Sequence, residues 1–301
     1  MDKVIIIGSG PAGLTAAIYL ARADLKPLVI QGKEPGGQLI WTSEVENFPG
    51  FPEGIMGPKL MQNMLAQAKK YGTKLVSEVA KNANLSQKPY KIITESNEYE
   101  AEAIIIATGA RSRMLELPNE DKLFSKGIHT CATCDGAFYR DKEVMIVGGG
   151  DSAMEEATFL TKFTKKVYVS YRKDKLPASK VMQDKAMNNE KIEFLLNTEI
   201  KEYIGSDKLE AVKYLNNSNN EEKEIKIDGI FLAIGHIPNT EIFENQLKLG
   251  KNNYIEPINN VFTEKEGIFV AGDVADWKYR QAITASGLGC MAALEAEKYL
   301  S

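Results

Sequence analysis

The stretch Val4-Ile5-Ile6-Ile7-Gly8-Ser9-Gly10-Pro11-Ala12-Gly13 decides how this chain is read. Four consecutive apolar residues, β-branched throughout, suit a strand buried on both faces of a parallel sheet. The strand runs into the spacing Gly-x-Gly-x-x-Gly, a helix is expected from Leu14 to Arg22, and Leu28-Val29-Ile30 supplies a second strand. Together these make a βαβ unit of about thirty residues, the context in which glycine spacing indicates dinucleotide binding rather than a turn kept for packing. The glycines let backbone N–H groups approach a pyrophosphate, and the positive end of the helix stabilises its charge.

The pattern recurs. Glu143-Val144-Met145-Ile146-Val147 leads into Gly148-Gly149-Gly150-Asp151-Ser152-Ala153, with alanine at the last glycine position, then a helix from Met154 to Lys162 and a strand from Val167 to Tyr171. The fold class is therefore α/β, with two Rossmann-like dinucleotide-binding domains. Between the repeats lie a helix near Met61 to Tyr71, short strands around Lys74 to Val79 and Tyr90 to Thr94, and an apolar strand Ile104 to Ile106 ending in Ala107-Thr108-Gly109. A similar strand, Ile230 to Ala233, ends at Gly235 and His236-Ile237-Pro238, and the two exits read as hinges. A later strand, Gly267 to Ala271, precedes Gly272-Asp273 and a C-terminal helix from about Ala282. It has no place in a finished second domain and is returned to the first sheet. The second domain, 113–240, is thus expected to be inserted into a discontinuous first domain, 1–112 plus 241–301. The polar run Asn216 to Lys223 reads as a solvated hairpin tip.

The residues after each second strand read the adenosine ribose. In the first repeat these are Gln31-Gly32-Lys33-Glu34, with an acid and no arginine, which suits the free ribose hydroxyls of FAD or NAD. In the second they are Tyr171-Arg172-Lys173. Two cations there favour a 2′-phosphate, hence NADPH over NADH, although a solvated basic turn would look the same. The expected NADPH contacts are Gly148, Gly150, Asp151, Ser152, Ala153, Arg172 and Lys173.

With 301 residues, 44% of them hydrophobic, the chain can fill two cores. Its net charge of −4, spread along the sequence, offers no basic patch for nucleic acid and no polybasic membrane anchor. No apolar run is long enough to span a bilayer, and Met1-Asp2-Lys3 passes straight into the first strand without room for a signal peptide, so a cytoplasmic protein is expected. Three cysteines exclude a disulfide framework. Two of them form Cys131-Ala132-Thr133-Cys134-Asp135, just upstream of the second fingerprint. Zinc would need two more ligands, and Cys290, His129 and His236 are scattered, so no metal is expected. A redox dithiol beside a nicotinamide-type site, in a chain that also has a flavin-type site, implies electron transfer from nicotinamide through flavin to a disulfide. Neither histidine is given a role, and the proton for the leaving thiolate is expected from Asp135, which could instead merely cap the helix after the cysteines. Cys290, in an apolar helix, is expected to be a buried core thiol.

In order along nearly the whole chain, Gly8 to Gly13, Gly36-Gly37-Gln38-Leu39, Val45-Glu46-Asn47-Phe48-Pro49-Gly50, Cys131 to Asp135, Gly148 to Ala153, Ala233-Ile234-Gly235-His236, Gly272-Asp273 and Tyr279-Arg280-Gln281-Ala282 resemble the low-molecular-weight thioredoxin reductases. The resemblance implies a homodimeric, NADPH-dependent flavoprotein that reduces thioredoxin. It places FAD against Gly8, Gly10, Pro11, Ala12 and Gly13, against Gly32, Lys33, Glu34, Gly37, Gln38, Leu39 and Asn47, against Thr108 and Gly109, and against Gly272, Asp273, Arg280, Gln281 and Ala282. Asp273 would bond the ribityl chain, and the helix starting near Gln281 would point its N-terminus at the flavin pyrimidine edge. Cys134 would be the flavin-side, charge-transfer thiol, Cys131 the sulfur that attacks the partner, and Asp135 the acid. The resemblance also implies that the inserted domain rotates, on segments 110–117 and 235–240, to present disulfide and nicotinamide in turn. One departure stands out: where the family usually shows His-Arg-Arg-Asp-x-Phe-Arg-Ala, this chain has Tyr171-Arg172-Lys173-Asp174-Lys175-Leu176-Pro177-Ala178, so Lys173 and Pro177 replace arginines and NADPH preference should weaken. Among rival readings, a flavin reductase serving ferredoxin would lack the dithiol, and a peroxide-defence reductase would carry a thioredoxin-like segment ahead of the first fingerprint. A flavin-bound redox sensor that switches through the dithiol remains open.

Overall fold

The computed structural model describes residues 1–42 and 44–301, Lys251 without its side chain. The chain divides into two compact units, 1–111 with 237–301 and 112–236. The second crossing falls before residue 237 rather than after 240 because Asn239 is held by the first unit. Its N–H donates to the Gly109 carbonyl at 3.0 Å, its amide donates to the Thr108 carbonyl at 2.8 Å, and the Thr108 hydroxyl donates to its carbonyl at 2.7 Å. The two crossing stretches, Ala110–Ser112 and His236–Pro238, pair as a two-stranded sheet.

In the first unit, strand Asp2–Ile7 is flanked in parallel by Leu28–Ile30 and by the long strand Glu98–Ile106. The far edge of Glu98–Ile106 is shared: its first half pairs antiparallel with Tyr90–Thr94, and Ile104, Ile105 and Ile106 pair in parallel with Ile268, Phe269 and Val270. Residues 268–270 therefore do return to the first sheet. Val4, Ile6, Ile105 and Phe269 pack beneath helices Pro11–Arg22, Gly57–Lys70 and Ala282–Leu300, while Ile5, Ile7, Ile104 and Val270 join a second core on the opposite face with Phe243 and Leu247. Burial on both faces is why residues 4–7, 104–106 and 268–270 are apolar at every position rather than alternating.

The second unit repeats the plan with a five-stranded parallel sheet, in the order Ile128–His129, Gly229–Leu232, Glu143–Val147, Lys166–Tyr171, Ile192–Leu196. Val144, Ile146, Val169 and Phe231 face helices Asp151–Leu160 and Lys180–Met187. Met145, Tyr168 and Ile230 face an antiparallel meander, Thr198–Ile204, Ala211–Asn216 and Glu221–Lys226, whose last turn is the hairpin tip read from the sequence. Among the described residues no helix is long and apolar enough to cross a membrane.

Candidate active site

In the first glycine turn the backbone comes too close for side chains. Gly8 has φ +109°, and a Cβ there would lie 2.2 Å from the Ala107 carbonyl oxygen; one on Gly13 would lie 2.0 Å from the Gly8 carbonyl oxygen. Gly10 is different, for a Cβ on it would meet nothing within 4 Å. Gly10 is also the N-cap of helix Pro11–Arg22, which has no side-chain cap and no acid in its first turn. The helix thus presents first-turn N–H groups that no capping side chain occupies, beside open space, which is what a pyrophosphate needs. Ser9 ties the neighbouring loop in: its hydroxyl donates to the Gln31 carbonyl at 2.9 Å and accepts from the Gly36 N–H at 3.0 Å. Gly37 follows against Gly10, 3.2 Å from a built Cβ to the Gly10 Cα, and the Gln38 amide donates to the Ala110 carbonyl. Lys33 and Glu34 are exposed, and Glu34 accepts from the Trp41 indole at 3.2 Å.

The C-terminal segment reaches the same region of the first unit. Asn47 donates to the Gln281 side chain at 3.3 Å, and Gln281 caps helix Ala282–Leu300 in a capping box with Thr284. Asp276 accepts from the N–H groups of Lys278, Tyr279 and Arg280 at 3.1, 2.8 and 3.2 Å, which fixes the approach to that cap. Asp273 is half-buried; desolvation first, and then the negative charge of Asp276, push its carboxyl up to about 7, with Arg280 opposing. Ser286, one turn into the helix, keeps a buried hydroxyl with no partner among the described residues. An uncapped helix end, an open glycine and a half-buried carboxyl primed to hydrogen-bond a hydroxyl fit FAD. Residues 8–13, 36–39, 47 and 281 are brought together, whereas Thr108 is occupied with Asn239.

The second turn is built alike. Gly148 has φ +150° with a virtual Cβ 2.4 Å from the Ala233 carbonyl oxygen, Gly150 faces open space, and the helix that starts at Asp151 has no side-chain cap. The Asp151 carboxylate accepts from the Ser179 N–H at 2.6 Å, so it also latches the loop that follows the basic pair. Arg172 and Lys173 are exposed at the end of their strand, their carbonyls held by Asn217 and by the N–H of Asn197 at 3.3 and 3.1 Å. Both side chains are exposed where they can meet a phosphate, and the cradle fits NADPH.

Cys131 and Cys134 form a disulfide with Cα atoms 5.3 Å apart. Cys131 is the N-cap of the short helix Ala132–Asp135, and its carbonyl accepts from the N–H groups of Cys134 and Asp135 at 3.3 and 3.2 Å. The Thr133 hydroxyl lies 3.3 Å from the Cys131 Sγ. Asp135 makes no capping bond. Its Oδ2 is instead 2.9 Å from Nδ1 of His129, and Nε2 of His129 is 2.7 Å from the Tyr139 hydroxyl. His129 is a residue the sequence left without a role, yet a signal existed: it stands two positions before Cys131. Burial, followed by the charges of Asp135 and Asp228, raises the Tyr139 phenol well above its ordinary range, so it keeps its proton. Cys290 departs from expectation, being half-buried, and its thiol raises the pKa of the neighbouring Tyr19 hydroxyl.

Residues 2–289 match the model of the pyridine nucleotide-disulphide oxidoreductases. The chain is 49% identical to thioredoxin reductase 1 of Saccharomyces cerevisiae, with 100% of this chain and 98% of that one covered, and 48% identical to the thioredoxin reductase of Rickettsia felis, with 99% and 98% covered. Among solved structures, a thioredoxin reductase from Giardia duodenalis superposes with a TM-score of 0.93 at 41% identity, covering 99% of this chain and 98% of its own. The chain is an oxidoreductase that uses FAD and NADPH, and it belongs to the thioredoxin reductases within the pyridine nucleotide-disulphide oxidoreductase family.

Proposed function

We propose that this protein reduces oxidised thioredoxin, with FAD held by residues 1–111 and 237–301, and with NADPH held by residues 112–236, which also carry the dithiol. The observation that carries this reading is the Cys131–Cys134 disulfide on a short helix that ends in Asp135, in the same unit as a glycine cradle with exposed Arg172 and Lys173. When bound, FAD and NADPH supply hydride and two-electron chemistry. The chain supplies the rest. Once the disulfide is reduced, the Cys131 thiolate attacks one sulfur of the thioredoxin disulfide, that S–S bond breaks, and the departing thiolate takes a proton from Asp135. The Cys134 thiolate then attacks the Cys131 Sγ, closing the enzyme disulfide and releasing the second thioredoxin sulfur. Asp273 and Gln281 orient FAD, and Arg172 with Lys173 selects the 2′-phosphate of NADPH.

The dithiol and the nicotinamide must use one flavin alternately, so the unit that carries them turns on segments 110–117 and 235–240. The protein works in the cytoplasm as a homodimer, and the dimer is supported by Tyr19, Ile283, Met291 and Leu294, large side chains left exposed on two helices of the first unit. The test is NADPH oxidation followed with and without oxidised thioredoxin, with NADH in parallel. Oxidation that requires thioredoxin and prefers NADPH supports the reading; flavin binding without turnover would instead point to a redox sensor.

A further inference from the structure

We propose that His129 is a positioning residue of the dithiol site, which stores, jointly with Asp135, the proton given to the departing thiolate. This rests on the thioredoxin-reducing reading above, and it adds a group that the sequence pattern around the cysteines did not single out. The imidazole is gripped at both nitrogens, by Asp135 at 2.9 Å and by Tyr139 at 2.7 Å. It stacks on Phe231 with centroids 5.2 Å apart and meets the edge of the Tyr139 ring at 5.4 Å. His129 and Tyr139 are each 7% exposed, whereas the Asp135 side chain is 16% exposed, so the carboxyl is the end of the chain that opens outward.

The hydrogen-bond inventory explains why a proton can be held here. With the pair protonated, His129 donates from Nδ1 to Asp135 and from Nε2 to the Tyr139 oxygen. Once that proton has left through Asp135, the remaining imidazole proton stays on Nε2 and still donates to the Tyr139 oxygen, while bare Nδ1 faces the carboxylate. Only the protonated pair satisfies both ring nitrogens, so the site draws a proton back, and no heavy atom has to move. The proton passes from Nδ1 to the Asp135 carboxylate and from there to the thiolate sulfur, which becomes a thiol; the pair goes from net charge zero to −1 and regains its proton from water after each cycle. Tyr139 does not take part as an acid, since it remains a phenol. The groups that face this trio are few: Asp135 and Tyr139 bond the imidazole, Asp228 acts on Tyr139, Lys142 stands 5.4 Å from the Tyr139 ring centroid, and Gly229–Leu232, the strand beside His129, brings no ionisable side chain.

The test is His129→Asn, whose amide can replace the Nδ1 donor to Asp135 but cannot carry a transferable proton. Wild-type and variant holoenzymes, reduced with NADPH, are mixed with oxidised thioredoxin across mildly acidic to mildly alkaline pH. The variant is expected to lose about tenfold in thioredoxin reduction above neutrality, less than the roughly hundredfold or more of a lost general acid because Asp135 remains, with its pH break displaced to more acidic values, while NADPH-driven reduction of a one-electron dye is unchanged. A second readout needs no cofactor: the pH midpoint for alkylation of Cys131 in dithiothreitol-reduced protein should also move. Rates within twofold of wild type together with an unmoved pH break and alkylation midpoint overturn the proposal, and identify His129 as a brace only. If His129→Asn does not fold, Tyr139→Phe removes one grip on the imidazole and is held to the same criteria. Failure of the wild-type enzyme to reduce thioredoxin would sink the functional reading instead, with the alkylation profile still reporting on His129.

Discussion

At the third fingerprint position the first turn would place a methyl group 2.0 Å from the Gly8 carbonyl oxygen, whereas the second turn carries one, on Ala153, 3.1 Å from where a Gly148 Cβ would be. The first glycines behave alike, each pressed against the carbonyl of an alanine at a strand exit, Ala107 or Ala233. What separates the turns is how tightly each backbone folds back on itself, because the atoms that a Gly13 Cβ would meet belong to Gly8 and Ile6 of its own strand and turn. The covering helix Ala282–Leu300 presses on a different position, for a Cβ on Gly289 would lie 2.1 Å from the Ala12 carbonyl oxygen. A motif therefore sets which conformation is needed, and the closeness of its own turn sets how much side chain the third position tolerates.

The sharpest contrast between the units is that only one carries the dithiol. Cys131→Ser or Cys134→Ser should lower thioredoxin reduction by about a thousandfold or more, measured by coupled NADPH oxidation, while dye reduction continues, because without a second sulfur the disulfide cannot close. The glycine turns come next. Gly13→Ala should cost about 3 kcal/mol and FAD retention, read by denaturant unfolding and by the flavin absorbance of purified protein, while Ala153→Gly should cost about 1 kcal/mol and leave NADPH binding intact. Equal costs at the two positions would break the comparison. Replacing Arg172 and Lys173 together by alanine should raise the KM for NADPH about tenfold and leave that for NADH unchanged, since only one cofactor presents a 2′-phosphate.

The smallest effect concerns Asp273 in the apoprotein. Its folded-state pKa of about 7 lies above the unfolded value near 3.9, so between those values the unfolded chain gives up a proton that the folded chain retains. Stability accordingly falls as pH rises through that window, and the loss is complete above it. Asp273→Asn should raise the apoprotein Tm by about 3 °C at mildly alkaline pH, for about 1 kcal/mol after allowing for partial solvent access, and by nothing near pH 4.

Both sheets, the return of residues 268–270 and the two cradles were legible because each rests on a local rule: apolar runs for doubly buried strands, glycines where backbones touch. The helices begin earlier than their apolar periodicity suggests, at Pro11, Gly57 and Asp151, because the fingerprint and a helix-opening Pro58 are themselves the first turns. Most of the antiparallel meander went unread, since its central core residue depends on a distant partner. Tyr203 donates to Glu120, and Glu120 also accepts from the N–H groups of Leu115 and Glu116, which leaves a glutamate in the polar run Asn119-Glu120-Asp121 only 4% exposed. His129 was missed for a related reason. Its role depends on Asp135 and Tyr139 meeting it across a turn, and spacing along the chain shows no such meeting.

The shared edge of Glu98–Ile106 has a consequence for biosynthesis. Ile104 to Ile106 wait for partners encoded roughly 160 residues later, which at ribosomal speeds is on the order of ten to thirty seconds, and during that interval a greasy, unpaired β edge protrudes from the nascent chain. Arrested translation products ending before Ile268 should consequently be clients of chaperones rather than folded apoprotein, even though every residue of the first fingerprint has already emerged.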